Sequence, residues 1–122
     1  PHLFQKYIEC DNQDVRVIVV GGKVLGAINR KAVNDFRANV GAGGQAESYV
    51  LTEKIKTLAI KISEILKLDY CGIDFMINDE IYLCEVNSNA FFKAFERVTK
   101  INVAEKLVEL CIKKVLQKNS LR

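Results

Sequence analysis

Apolar and polar residues alternate most regularly between Gly72 and Asn89, in G-I-D-F-M-I-N-D-E-I-Y-L-C-E-V-N-S-N. Ile73, Phe75 and Ile77 alternate with Asp74 and Met76, a polar cluster Asn78-Asp79-Glu80 follows, and a second run extends from Ile81 to Asn87. That pattern predicts a β-hairpin. Upstream, Leu3–Glu9 is a short strand-like run and Asp11–Asp14 a turn cluster. Val15–Val20 and Lys23–Arg30 read as strands joined at Gly21-Gly22, because two glycines accept the positive φ values of a tight hairpin turn. Ala32–Tyr49 is polar and glycine-rich and reads as a loop.

Three-to-four-residue spacing replaces alternation elsewhere. Thr52–Lys67 is predicted to be an amphipathic helix capped by Thr52, with Ile55, Leu58, Ala59, Ile62, Ile65 and Leu66 inward and Lys54, Lys56, Lys61 and Lys67 in water. A short helix is expected within Ala90–Thr99, with Phe92 and Phe95 inward. A last one spans Asn102–Leu116, starting at the capping pair Asn102 and Glu105, with Val103, Leu107, Cys111, Ile112 and Val115 on its core side. Gln117–Arg122 should fray. The expected fold class is therefore α+β, an antiparallel sheet with helices packed on one face.

The chemistry lies in the central hairpin. Carboxylates seldom stand in apolar strands without a partner, yet Asp74 and Glu85 both do, with Asn87 two residues beyond. Glu85 and Asn87 share a strand face at roughly 7 Å. A two-residue loop, the favoured kind and the one expected here, puts Asp74 on that face too, opposite Glu85 if the loop is Asp79-Glu80 and diagonal to it if the loop is Asn78-Asp79. A three-residue loop would turn Asp74 to the other face unless a bulge corrected it. The opposite face, with Ile73, Phe75, Ile77, Tyr82 and Val86, is expected in a core. Two carboxylates and an amide oxygen, without His or Cys, suit Mg2+ or Mn2+ rather than zinc. Spacing alone is equally compatible with two exposed carboxylates on a solvated sheet face.

Composition narrows the alternatives. The 122 residues are 49% apolar and 27% charged, ordinary for one soluble domain. A net charge of +3 is too mild to point to nucleic acid. No apolar run reaches the ~20 residues of a membrane span. Cys10, Cys71, Cys84 and Cys111 lack C-x-x-C spacing and read as small buried hydrophobes of a reducing, cytoplasmic compartment. The single histidine, His2, excludes a histidine-based triad or zinc site. The chain opens at Pro1-His2-Leu3, as a piece of a longer protein would. The glycine-rich loop lacks the spacing of a P-loop.

In order along the chain, D-V-R-V-I-V-V-G-G-K-V-L-G-A-I-N-R-K-A, D-F-R-A-N-V followed by a double glycine, C-G-I-D-F and E-V-N-S-N resemble the second half of an ATP-grasp ligase. The pattern is similar to the RimK-like branch, which includes ribosomal-protein glutamate ligases and related amino-acid ligases. The resemblance implies that residues 1–122 are the C-terminal lobe of an ATP-grasp fold, without the N-terminal domain and first ATP lobe. It implies an ATP-dependent ligase joining a small-molecule or peptide carboxylate to an amine through an acyl phosphate, inactive as a fragment. Asp74, Glu85 and Asn87 would hold Mg2+ or Mn2+. The backbone around Lys6 and Tyr7 would read adenine and Asp14 would bind the ribose. Arg37, with Ala38 and Asn39, would approach the terminal phosphate and act in catalysis. Arg30 is a weaker candidate for an acidic substrate, and Arg16 is as well explained structurally. The family's usual Pro-Gly after the metal motif is Ala90-Phe91 here. The competing expectation is a non-catalytic nucleotide- or protein-binding module on the same fold. A lysine-bearing domain docking on RNA finds little support in the mild charge.

Overall fold

The computed structural model describes residues 13–31 and 45–120. These form five strands and three helices: β1 (Gln13–Val20), β2 (Lys23–Lys31), β3 (Gln45–Ser48), α1 (Glu53–Ile65), β4 (Tyr70–Ile77), β5 (Ile81–Asn87), α2 (Lys93–Thr99) and α3 (Val103–Ser120). The strands make one antiparallel sheet in the order β3-β2-β1-β4-β5. The class is α+β, as the patterning predicts. The expected strand Leu3–Glu9 lies outside the described residues.

The first hairpin turns at Gly21 and Gly22, whose φ values are +59° and +76°. Both are left-handed, and the turn keeps Val20 opposite Lys23. A bulge between Ile18 and Val19 shifts the ladder with β2. β3 is a short edge strand inside the stretch read as loop, and it pairs with Ile28–Lys31. Only four residues long, it has too little pattern to stand out from its polar surroundings.

Alternation along β1 divides the core in two. Val15, Val17 and Val19 point to one face with Ala27, Cys71, Ile73 and Phe75, beneath Ile55 and Ala59 of α1. Ile18 and Val20 point to the other with Ile28, under Phe95 of α2 and Val103 of α3. The expectation of helices on one face therefore holds only for α1. Burying an Ile, Val or Phe contributes ~1.5–3 kcal/mol, and at the Ile18–Ile28 end both sheet faces have that gain available.

Thr52 caps α1 as expected, accepting a hydrogen bond from Ile55 N at 3.3 Å. The helix stops at Ile65, before Lys67 takes a left-handed φ of 55°. Ile65 and Leu66, expected in the core, are exposed, because they lie beyond the edge of the packed face. At the start of α3, Asn102 Oδ1 accepts from Glu105 N at 2.9 Å, and Glu96 Oε2 of α2 accepts from Val103 N at 2.8 Å. Val103 is buried and Leu107 half-buried, but Cys111, Ile112 and Val115 are exposed, contrary to expectation. The helix persists through Gln117 to Ser120 rather than fraying from Gln117. Cys71 alone among the described cysteines is buried; Cys84 and Cys111 are exposed.

Candidate functional site

The face of β4 that does not pack on α1 carries Tyr70, Gly72, Asp74 and Met76. Asp74 pairs directly with Glu85 of β5, and Gly72 pairs with Asn87. The route to this register is not the expected two-residue loop. Ile77 pairs with Ile81 across a three-residue turn, Asn78-Asp79-Glu80, and the ladder then shifts between Asp74 and Phe75, so that Cys84 is the extra residue. The bulge restores the parity that the odd loop removes. The odd turn itself sets Tyr82 opposite Met76, on the Asp74 side rather than in the core expected for it. Ile73 and Phe75 are fully buried, and Ile77 and Val86 pack against their cluster.

β1 lies on the other side of β4 and sets Arg16 opposite Asp74. Arg16 grips the carboxylate with a bidentate fork, Nε to Oδ1 and Nη2 to Oδ2, both 2.8 Å. Arg30 of β2 reaches Asp74 Oδ2 at 3.2 Å and makes a second fork with Asp14, its Nε lying 2.8 Å from Oδ1. Asp74 is thereby the buried centre of a chain Arg16–Asp74–Arg30–Asp14, with its side chain 4% exposed. Burial pulls the Arg30 pKa down, but the hydrogen bond and charge of Asp14, and then Asp74, more than offset it, so the pKa is raised. The Arg30 guanidinium stays charged. Arg30, a weaker candidate for an acidic substrate, is engaged within the protein.

Glu85 is exposed and has no hydrogen-bond or ion-pair partner among the described residues. Asn87 is half-buried, and its Oδ1 accepts from Asn89 N at 2.8 Å. A carboxylate has about four acceptor positions. Three donors occupy those of Asp74, one on Oδ1 and two on Oδ2. One position on Oδ1 remains, on the sheet face it shares with Glu85. Three carboxylates, Asp14, Asp74 and Glu85, stand among two guanidiniums, Arg16 and Arg30, leaving the patch negative. Oxygen donors only, one of them a free exposed carboxylate, fit a hard divalent ion that takes its remaining ligands from phosphates and water. The described residues include no cluster of three His, Cys, Asp or Glu side chains able to hold a metal, so such an ion would depend on the Asn87 amide and on ligands beyond these side chains.

Lys6, Tyr7, Arg37, Ala38 and Asn39 lie outside the described residues. Asp14 lies on the same face as Asp74, two strands from Glu85. Beside it is a small cavity, about 150 Å³, lined by Gln13, Asp14, Val15, Asn29, Tyr49 and Ile77. That is below the ~300–1,000 Å³ of small-molecule pockets. The structural role that the sequence allowed for Arg16 is the one it has, although its partner was not named. Its signal was available: a charge inside V-R-V-I-V-V must find a partner, and its parity matches that of Asp14.

The family model described as the RimK-like ATP-grasp domain matches residues 2–111. N-acetylaspartylglutamate synthase A of Homo sapiens is 42% identical over 107 residues, which are 84% of this chain and 27% of that protein. A probable alpha-L-glutamate ligase of Maridesulfovibrio salexigens is 34% identical over 110 residues, 88% of this chain and 36% of that one. The chain thus spans about a quarter to a third of the length of such relatives. Among solved structures, the ATP-grasp ligase PsnB, complexed with a phosphomimetic variant of its minimal precursor, Mg and ADP, superposes with a TM-score of 0.69 at 21% identity, covering 85% of this chain and 32% of that one. D-alanine–D-alanine ligase from Bacillus anthracis, complexed with ATP, gives 0.68 at 18% identity, covering 93% and 42%. At these identities the structures speak to the fold alone.

Proposed function

The chain belongs to the RimK-like ATP-grasp family, and from that premise we propose that it supplies one wall of the nucleotide cleft of an ATP-dependent carboxylate–amine ligase. The observation that carries the proposal is the pairing of Asp74 with Glu85 on a face that also bears Asn87. Asp74, Glu85 and Asn87 would hold Mg2+ or Mn2+. When bound, the ion shields the phosphates and stabilises the charge that develops on the transferred phosphoryl group. Arg16 and Arg30 hold the Asp74 carboxylate in one orientation, so an arriving cation meets a preorganised oxygen. Asp14 would take the ribose hydroxyls and the backbone at Lys6 and Tyr7 the adenine. Arg37, with Ala38 and Asn39, would neutralise the terminal phosphate. A substrate carboxylate oxygen attacks the γ-phosphorus, the bond to ADP breaks, and an acyl phosphate forms. An amine then attacks the acyl carbon, phosphate leaves, and the amine proton passes to solvent.

The names of the relatives suggest glutamate as the amine or the carboxylate substrate. Their greater length suggests that the first ATP lobe and an N-terminal domain belong to the working enzyme, with residues 1–122 inactive alone. Three described cysteines outside any disulfide suit a reducing, cytoplasmic setting, and no helix among the described residues is long and apolar enough to cross a membrane. One observation favours the second reading, a non-catalytic binding module: Asp74 is already satisfied by Arg16 and Arg30, so sheet integrity alone could explain its presence. Glu85 has no such duty. In the full-length protein, supplied with ATP, Mg2+, glutamate and candidate carboxylates, Glu85→Gln should abolish ADP release and leave the circular dichroism spectrum unchanged. ADP release that persisted in this variant would refute the metal assignment, and none in the wild type would favour the binding module.

A further inference from the structure

The turn after β5 carries Asn87 and is held down from β4. Tyr70, Gly72 and Asp74 occupy alternate positions of β4 and so line one face. Gly72 faces Asn87 across the ladder. A Cβ at Gly72 would lie 2.6 Å from Ala90 Cβ and 3.5 Å from Arg16 Nε, so the turn and the Arg16 fork both use the space that a side chain would take. Ala90 is 3% exposed. Its carbonyl oxygen accepts a hydrogen bond from Tyr70 Oη at 2.6 Å. The Tyr70 ring is itself fixed, edge-on to Phe92 at 6.2 Å and packed in the cluster that includes Ile18, Phe95 and Val103. Within the turn, Asn89 N donates to Asn87 Oδ1. The side-chain oxygen of Asn87 is thus aimed by a turn whose far end is tied to Tyr70.

We propose that Tyr70 and Gly72 are positioning residues for the oxygen set Asp74–Glu85–Asn87: the hydroxyl clamps the Ala90 carbonyl, the glycine lets the turn seat, and together they fix Asn87 Oδ1 relative to the two carboxylates. The inference rests on the reading of that set as a divalent-ion site. Groups that orient metal ligands without touching the ion typically alter affinity by ~10–100-fold when removed. Tyr70→Phe deletes one hydroxyl and keeps the ring.

The test is Mn2+ binding to the full-length protein in the presence of ADP, followed by the loss of the free-ion electron paramagnetic resonance signal. Tyr70→Phe should weaken Mn2+ binding about tenfold, and Gly72→Ala, read on its folded fraction, should act in the same direction. Ile55→Val, in the core beneath α1, should lower the thermal midpoint and leave Mn2+ affinity unchanged, which separates positioning from general loosening. Glu85→Gln separates the two levels of the argument. If Glu85→Gln leaves Mn2+ binding as in the wild type, the divalent-ion reading itself fails. If Glu85→Gln weakens binding while Tyr70→Phe and Gly72→Ala do not, the positioning role alone is overturned.

Discussion

Neutralising Asp74 and neutralising Glu85 should have different consequences for the fold. Asp74 is buried between Arg16 and Arg30, so Asp74→Asn strips two guanidiniums of a shared counter-charge and should cost about 3 kcal/mol in chemical denaturation, as for one partner of a buried pair. Glu85 is exposed, and Glu85→Gln should stay within about 0.5 kcal/mol of the wild type. A similar loss in both would mean that the Arg16–Asp74 fork does little for stability. Tyr70 gives a pH signature. Its pKa is raised from 10.0 to about 12, chiefly by burial, with the Arg16 charge opposing. The folded value lies above the unfolded one, so the hydroxyl's contribution is fully present below pH 10 and lost as pH rises toward 12. The stability difference between the wild type and Tyr70→Phe should shrink over that interval in urea titrations. A difference that grew instead would contradict the buried, protonated hydroxyl.

At the scale of elements, the turns separate backbone cost from packing cost. Gly22 has φ +76° and open space around its Cβ position, whereas a Cβ at Gly21 would meet Leu110 Cδ1 at 3.0 Å. Gly22→Ala should therefore cost about 1–2 kcal/mol from the left-handed backbone alone, measured by thermal or urea unfolding. A loss near zero would mean that this turn relaxes to another type. Local chemistry made this hairpin legible in the sequence, as it did the Thr52 cap and the alternation of β4. The same logic identified a common face for Asp74 and Glu85, together with the bulge that a three-residue loop would require. It favoured a two-residue loop, wrongly, because Asn78-Asp79-Glu80 supplies acceptable turn residues for either length and the tighter turn is the commoner one. The partner of Arg16 stayed unidentified because it is 58 residues away along the chain, and neither strand announces which other strand it will meet. β3 was too short and polar to detect.

For the molecule as a whole, the outer side of α3 from Val108 onward is the least accounted for by the core. Val108, Ile112, Val115 and Leu116 are 55–62% exposed, and Phe91 reaches 86%. The helix has the periodicity of a buried element, which is why its sequence predicted a core side. Only its first turns reach the sheet, with Leu107 and Leu110 packing beside Ile18 and Val20. Periodicity reports that a face wants burial, without saying what provides it. The isolated chain should therefore associate as its concentration rises, and Ile112→Glu with Val115→Lys should return it toward the monomer in sedimentation velocity. Association unchanged by the pair would locate the sticky surface elsewhere, with Phe91 the next residue to alter.

The odd turn and the single bulge of the β4–β5 hairpin cancel, and this limits how its length can drift. A one-residue insertion that slid β5 along β4 while the turn kept its three residues would rotate Glu85 and Asn87 into the interior and bring their apolar neighbours out. Insertions of two residues, or one added together with the loss of the kink at Cys84, would spare the arrangement. Wherever the turn keeps its length, natural variation and laboratory redesign of this segment should therefore proceed in even steps.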